Sequence, residues 1–434
     1  MNNDHLTKKR FSDLPLDPLI KSSLDEAGFE FCTPVQEETL QYTLDGKDVT
    51  GQAQTGTGKT AAFLLAVFQK LLDERDAVPA KPGNIRCLII APTRELAIQI
   101  ASDAKILGKN TGLKTALVYG GTAYEQQRRQ FDKEIDILVG TPGRLIDYFK
   151  QKLFTLKHLQ ALVLDEADRM FDLGFINDIR FLMRRMSEPK KRINMLFSAT
   201  LSQRVLELAY DHMNSPVKVE IQGETVSARN IEQKVYYPAN SEKIPLLIGI
   251  LQREMPFRTI IFVNTKRNAE NIEAFFKGND IKGAMISGDV RQTKRQRLLT
   301  EFEAGKYSCL IATDVAARGL HIPDVTHVIN FDLPQMEEDY VHRIGRTARA
   351  GASGEAISFA CEDTAHFLPQ IEAYIEMKLP MEGISADMLP EVKKPIRKPR
   401  KPKSNYRGKG GKPNYKGGNH KRKNYNRNKT KSKT

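Results

Sequence analysis

The run Ala53-Gln54-Thr55-Gly56-Thr57-Gly58-Lys59-Thr60 constrains this chain more than any other. It has the spacing of a phosphate-binding loop, with Ala53 at the position the pattern opens with glycine. Gly56 and Gly58 let the backbone wrap closely around phosphate oxygens. The backbone N–H groups cradle a polyphosphate, Lys59 reaches its terminal phosphates and the Thr60 hydroxyl reaches Mg²⁺. A second run, Asp165-Glu166-Ala167-Asp168, ends the apolar stretch Ala161-Leu162-Val163-Leu164. It supplies the acidic side of the same chemistry, one carboxylate for the metal and one for water. The pair points to a nucleoside triphosphatase.

Short apolar runs rich in β-branched residues alternate with amphipathic stretches. Cys87–Ala91, Ile135–Gly140, Ala161–Leu164 and Asn194–Phe197 read as strands in the first part of the chain. Thr259–Val263, Cys309–Ala312, His327–Phe331 and Ala356–Ala360 repeat the pattern. Strands separated by helices imply parallel sheets of βαβ units, and runs this apolar imply strands covered on both faces. Residues 221–228 are polar and unpatterned, as a linker would be. The expectation is an α/β protein of two tandem parallel-sheet domains. An N-terminal segment spans 1–40, the domains span 41–222 and 233–384, a linker spans 223–232 and a tail spans 385–434. Ligands of such sheets lie beyond the carboxyl ends of the strands, where both acidic and glycine-rich runs fall.

Composition narrows the setting. No apolar run approaches the length of a membrane span, and the N-terminus has no signal-peptide core. Cys32, Cys87, Cys309 and Cys361 are scattered without a CxxC pair, as expected for free thiols in a reducing cytoplasm. The net charge of +14 belongs to one end. Residues 392–434 carry 18 Lys and Arg and no acid, while the rest holds 49 bases against 53 acids. The tail is nearly empty of large aliphatics, so it is expected to be disordered. Its charges, with Tyr406, Tyr415 and Tyr425 among them, suit single-stranded nucleic acid, phosphates on the bases and rings under nucleobases. A solubility appendage is the alternative.

From about Phe11 to Ile384 the chain resembles the DEAD-box RNA helicases of superfamily 2, whose fold is a pair of RecA-like domains. Gly28 through Gln36 resembles their adenine-reading Q motif. Phe11 stands at the place of the aromatic that packs on the base, and the Gln36 amide can pair with the N6/N7 edge of adenine. Pro92, Thr93 and Arg94, then Gly121, then Thr141 and Arg144, match RNA-backbone motifs. Ser198-Ala199-Thr200 matches the motif coupling nucleotide state to unwinding, in which Asp168 and His342 take part. In the second half Thr265, Gly288, Arg295 and Thr313 fall on RNA-contacting motifs. His342 through Arg349 matches the motif whose Arg346 and Arg349 act as arginine fingers across the interdomain cleft. Three positions depart from the pattern: His321 for Asp, Ser287 for His and Ala348 for Gly.

Gly319-Leu320-His321-Ile322-Pro323 resembles the subgroup that serves the bacterial RNA degradosome, as do the runs 162–173 and 194–200. The resemblance implies a cytoplasmic, ATP- and Mg²⁺-dependent enzyme that parts short RNA duplexes in RNA turnover, with an RNase E-type scaffold as partner and no membrane. In it Lys59, Thr60, Asp165, Glu166, Arg346 and Arg349 carry hydrolysis, Thr60 and Asp165 holding Mg²⁺ largely through water. The other classes compatible with the motifs are an ATP-gated RNA clamp or annealing factor, a ribosome-assembly helicase and a DNA helicase.

Overall fold

The computed structural model describes residues 6–53, 57–77, 81–121, 124–220, 231–254, 257–287, 290, 292–317, 322, 325–348 and 353–397. Thirteen strands among these form two sheets, and every strand pair in both is parallel. The first sheet comprises β1 (Val49–Gln52), β2 (Cys87–Ile90), β3 (Thr115–Val118), β4 (Ile137–Gly140), β5 (Ala161–Leu164), β6 (Ile193–Ser198) and β7 (Val217–Glu220). Their spatial order is β3-β4-β2-β5-β6-β1-β7. The second comprises β8 (Ile231–Tyr236), β9 (Thr259–Phe262), β10 (Gly283–Ile286), β11 (Cys309–Ala312), β12 (His327–Asn330) and β13 (Gly354–Phe359), in the order β10-β11-β9-β12-β13-β8.

Strands β2, β4, β5, β6, β9 and β11 are buried at every position because both faces of the sheets are covered. In the first sheet Cys87, Ile89, Val139, Val163 and Phe197 enter one core, while Leu88, Ile90, Leu138, Leu162 and Leu196 enter the other. The helix Lys59–Asp73 starts at Gly58, whose φ of 94° only glycine adopts freely, and buries Phe63, Leu64, Val67 and Phe68 on the first face. Residues assigned to an N-terminal segment belong to that same core: Phe11, Leu14, Ile20 and Leu24 pack into it. Asp17 caps the helix Pro18–Glu26, accepting from Leu19 N at 2.8 Å, and its own N–H donates to Gln69 Oε1 at 2.7 Å. All four cysteines are free and buried. Among the described residues no helix is long and apolar enough to cross a membrane.

The expected linker 223–232 lies outside the described residues except Ile231 and Glu232, which open β8. The tail boundary at 385 is corrected. Residues 385–396 strap the second domain, and the tail beyond Arg397 lies outside the described residues. A short 3-10 turn, Ala386–Met388, buries Met388 against the second core. Asn279 then brackets Lys393, Oδ1 accepting its N–H at 2.9 Å and Nδ2 donating to its carbonyl at 3.2 Å, and Ile396 N donates to Ala274 O at 2.9 Å. Gly249 is required there, since a Cβ would lie 2.1 Å from the Met388 carbonyl oxygen. Met388→Ala is expected to lower the stability of the second domain by about 2–3 kcal/mol, read by urea unfolding of the full chain. Gly249→Ala is expected to release the strap and speed tryptic cleavage after Lys393.

Candidate nucleotide site and RNA face

The motifs collect beyond the carboxyl ends of the strands. β1 runs into the phosphate loop, and Ala53 N donates to Ser198 O at 3.0 Å, so the loop starts beside the end of β6. Gln54, Thr55 and Gly56 lie outside the described residues. Gln36 holds the loop's far side. Its Oε1 accepts from Thr33 N at 2.8 Å, capping the helix Pro34–Thr43, and its Nε2 donates to Gly58 O at 3.2 Å. The amide retains one lone pair and one N–H for a base edge. Phe11 is placed otherwise than expected: it is 2% exposed, edge-on to Phe29 at 6.1 Å, and offers no open face for stacking.

Lys59 Nζ lies 3.6 Å from Asp165 Oδ1, both buried. Burial pushes the Asp165 carboxyl above its ordinary range against the pull of Lys59. A carboxylate so desolvated gains strongly from an added cation, so the residues fit a Mg²⁺ ion. Glu166 follows with a left-handed backbone, φ 53°. Burial alone would raise its carboxyl, but Arg169, then Lys59 and Arg346, outweigh burial and hold it below its usual value. Arg169 Nη1 bonds Glu166 Oε2 directly.

Asp168 ties the two acidic and hydroxylic motifs together. Its Oδ2 accepts from Ala199 N and Thr200 N, both at 3.0 Å, and from Thr200 Oγ1 at 3.3 Å. Its own N–H donates to Ser198 Oγ at 3.1 Å. From the second domain the helix Glu337–Ile344 brings His342 against it. Burial lowers the affinity of that imidazole for a proton, and Arg346 adds to the effect while Asp168 opposes it. Arg346 is buried, donates from Nε to His342 O at 3.1 Å, and faces Glu166 closely enough to act on its charge. Arg349 lies outside the described residues.

The RNA-motif residues stand at helix starts. Pro92 is buried, and Thr93 caps Arg94–Leu107, its Oγ1 accepting from Leu96 N at 3.3 Å. Thr141 precedes Pro142–Lys150, and exposed Thr265 caps Lys266–Gly278, accepting from Asn268 N at 3.1 Å. Each hydroxyl keeps its hydrogen to donate outward. Arg94 crosses Gly121, where a Cβ would lie 2.5 Å from its Nη1. Arg144 stacks on Tyr124 and Tyr148, 5.0 and 5.2 Å from the ring centres. Thr313 O accepts from Ala316 N and Ala317 N, opening the turn Asp314–Ala317. Arg295 reaches across the domains to Glu95, Nε to Oε1 3.0 Å. Gly288 lies outside the described residues.

Sequence reasoning passed over Arg343, which is 1% exposed. It grips Asp314 with two bonds of 2.6 Å, Asn264 Oδ1 at 2.9 Å and Asp332 O at 2.6 Å. An arginine between apolar Tyr340 and Ile344 on one helix was the available signal. Arg169 was passed over too, although its spacing of three from Glu166 places the pair on one helix face.

A DEAD/DEAH box helicase model matches residues 33–208, and a helicase conserved C-terminal domain model matches residues 242–351. The chain belongs to the DEAD/DEAH box helicases. The ATP-dependent RNA helicase RhlB of Shewanella frigidimarina (strain NCIMB 400) is 53% identical to it over 403 residues, 93% of each chain. Among solved structures, S. cerevisiae Dbp5 bound to RNA and ADP BeF3 matches with a TM-score of 0.76 at 30% identity, over 86% of this chain and 95% of that one. Mss116p bound to ssRNA and AMP-PNP matches with a TM-score of 0.75 at 28% identity, over 89% and 82%.

Of the departures from the helicase pattern, His321 lies outside the described residues, and Ser287 is buried with its carbonyl accepting from Val290 N at 3.1 Å. Ala348 sits at φ 52°, the left-handed region that suits the glycine expected there. A Cβ in that conformation costs roughly 1–2 kcal/mol, against roughly 0.5–1 kcal/mol for glycine's extra freedom in the unfolded chain. Ala348→Gly is therefore expected to stabilise the protein by about 0.5–1 kcal/mol, read as a higher urea midpoint.

Proposed function

We propose that this chain is an ATP-dependent RNA helicase, an RNA-stimulated ATPase that locally parts short RNA duplexes in RNA turnover. One observation carries the reading: Asp168 binds the Ser198–Thr200 segment while His342 and Arg346 of the other domain face Asp168 and Glu166. Nucleotide chemistry, the hydroxyl segment and the second domain thus share one carboxylate. The 53% identity to a helicase named RhlB supports RNA as substrate, as does the likeness to Dbp5 and Mss116p, both solved with RNA.

In this reading Gln36 recognises adenine and steadies the loop, and residues 53–60 hold the phosphates with Lys59 on the terminal ones. Thr60 and Asp165 hold Mg²⁺, which supplies charge neutralisation at the phosphates. Glu166 orients the attacking water and takes its proton. Arg346 and Arg349 stabilise the charge on the γ-phosphate when the domains close. Thr93, Arg94, Gly121, Thr141 and Arg144 bind the RNA backbone in the first domain. Thr265, Gly288, Arg295 and Thr313 do so in the second. Hydroxyls, helix N-termini and guanidiniums contact phosphate and sugar, so they position RNA without reading its sequence. Phe11 acts from below the adenine site, as part of its supporting core. An RNase E-type scaffold and the cytoplasm complete the proposal, on the strength of the likeness to RhlB.

Glu166→Gln is expected to retain binding of a fluorescent ATP analogue and to lose RNA-stimulated phosphate release by about 10²–10⁴. Lys59→Ala is expected to weaken nucleotide binding itself. Turnover near normal in Glu166→Gln would refute the base assignment.

The residues beyond Arg397 carry 15 Lys and Arg. A chain ending at Arg397 keeps both domains and the strap, so its maximal rate at saturating RNA is expected to hold while more RNA is needed to reach it. If a third of those bases meet phosphates, the slope of log affinity against log salt flattens by about 3.5. Equal slopes for the two chains would make the tail a solubility appendage.

A further inference from the structure

Four side chains of the second domain converge away from the nucleotide site. Lys234 lies on β8, His327 opens β12, Glu355 stands at the start of β13 and Glu254 ends the helix Lys243–Glu254. The parallel register sets His327 opposite Glu355, and Lys234 opposite Ile357, two residues further along β13. The three strand residues therefore share one face of the sheet. His327 and Glu355 mark the amino ends of their strands, the edge opposite to the one that carries Thr265 and Thr313. Lys234 Nζ bonds Glu355 Oε1 directly and Glu254 Oε1 at 3.2 Å. With both Oε1 atoms held, Oε2 of each carboxylate is left to the imidazole. His327 Nε2 lies 3.0 Å from Glu355 Oε2 and 3.7 Å from Glu254 Oε2. Glu254 Oε2 is buried and makes no hydrogen bond among the described residues. The other ring nitrogen is committed. Thr326 Oγ1 gives its one hydrogen to Arg258 O at 3.1 Å, so at 2.9 Å from Nδ1 it accepts, and the ring hydrogen is on Nδ1. Nε2 of the neutral ring thus turns a lone pair toward two carboxylate oxygens. The four side chains are 17–23% exposed, and two carboxylates outweigh one ammonium there.

We propose that Glu254, His327 and Glu355 form a structural site for a divalent transition-metal cation, Zn²⁺ by the chemistry of its donors. A ligand atom from each of the three lies within 4.8 Å of the others. A tetrahedral ion with bonds of about 2.0–2.2 Å needs its ligands about 3.3–3.6 Å apart. The separations of 3.0 and 3.7 Å from Nε2 bracket that spacing. An imidazole among the donors selects Zn²⁺ over Mg²⁺ and Ca²⁺, which take oxygen. A metal-bound imidazole characteristically donates its other N–H to a fixed acceptor, which Thr326 supplies, and Lys234 orients the two carboxylates in the same outer role. The surplus negative charge of the cluster is what a cation relieves. A water completes the four ligands. The ion staples the end of the helix Lys243–Glu254 to β12 and β13, and it has no part in the nucleotide chemistry at the other edge of the sheet.

The test uses the full chain, stripped of metal with a chelator, and takes Co²⁺ and Zn²⁺ as probes. One equivalent of Co²⁺ is expected to give the intense visible absorption of a tetrahedral site, and Zn²⁺ is expected to displace it and to raise the urea midpoint. His327→Gln is expected to lose both the Co²⁺ spectrum and the Zn²⁺ shift. Thr326→Val, which takes away the outer partner of the ring, is expected to weaken Zn²⁺ binding about 10–100-fold. His327 lies outside the ATPase machinery, so RNA-stimulated turnover of His327→Gln in Mg²⁺ is expected to hold, which reports that the variant folds. Should it not fold, Glu254→Gln, at a helix end, takes its place with the same expected losses. Only the faint spectrum of octahedral Co²⁺ in the parent chain, with a urea midpoint that Zn²⁺ leaves unmoved, would overturn the proposal and make a proton shared by His327 and Glu355 the cluster's occupant. A Co²⁺ spectrum and Zn²⁺ shift that survive both in His327→Gln and in Glu254→Gln would overturn it too, by placing the metal elsewhere on the chain.

Discussion

A strand can follow another in parallel only if the chain crosses back over the sheet between them. Every pairing in both sheets obeys this rule. The loops that leave carboxyl ends therefore all emerge along one edge of each sheet. The phosphate loop, the Asp165–Asp168 run, the Ser198–Thr200 segment, Thr93, Thr141, Thr265 and Asp314 are all such loops or the helix starts just beyond them. Their assembly follows from strand direction, with side-chain bonds such as those of Asp168 fixing the details. Arg343 does for the second domain what Asp168 does for the first, joining the segments after β9, β11 and β12 through one buried guanidinium.

The eight runs read as strands from the sequence are all strands in the fold, within one or two residues at their ends. The five passed over have a common cause. Four of them, β3, β7, β8 and β10, are the edges of the two sheets. An edge strand is covered less completely, and its residues mix: β7 reads Val-Lys-Val-Glu with one buried position in four. Apolar density alone does not find such strands. The fifth, β1, is central but contains Gly51, where a Cβ would lie 2.6 Å from the Phe197 ring. Its neighbour's bulk, invisible in the local sequence, decides the residue.

At the site, residue identity was legible and partnership was not. Glu166 was readable as a water-activating carboxylate, but its contact with Arg169 depends on burial that only the fold creates. Arg295 was read as an RNA contact, and its pairing with Glu95 joins residues 200 positions apart. The strap 385–396 was hidden by its own composition. Met388 and Ile396 stand among lysines and prolines, and backbone bonds to Ala274 and side-chain bonds to Asn279 do much of the holding. The phosphate loop needed none of this, because its chemistry is local.

The four thiols have a bearing on how motion between the domains can be watched. Cys32 and Cys87 lie in the first core and Cys309 in the second, and burial pushes the Cys32 thiol up to about 12 and Cys309 up to about 11. Cys361 is buried as well. Since the thiolate is the reactive form, these groups are poor targets for maleimide dyes at neutral pH. A cysteine introduced on each domain's outer surface would take a fluorophore pair against a quiet background. Energy transfer between the dyes could then follow opening and closing molecule by molecule, with the native thiols left in place.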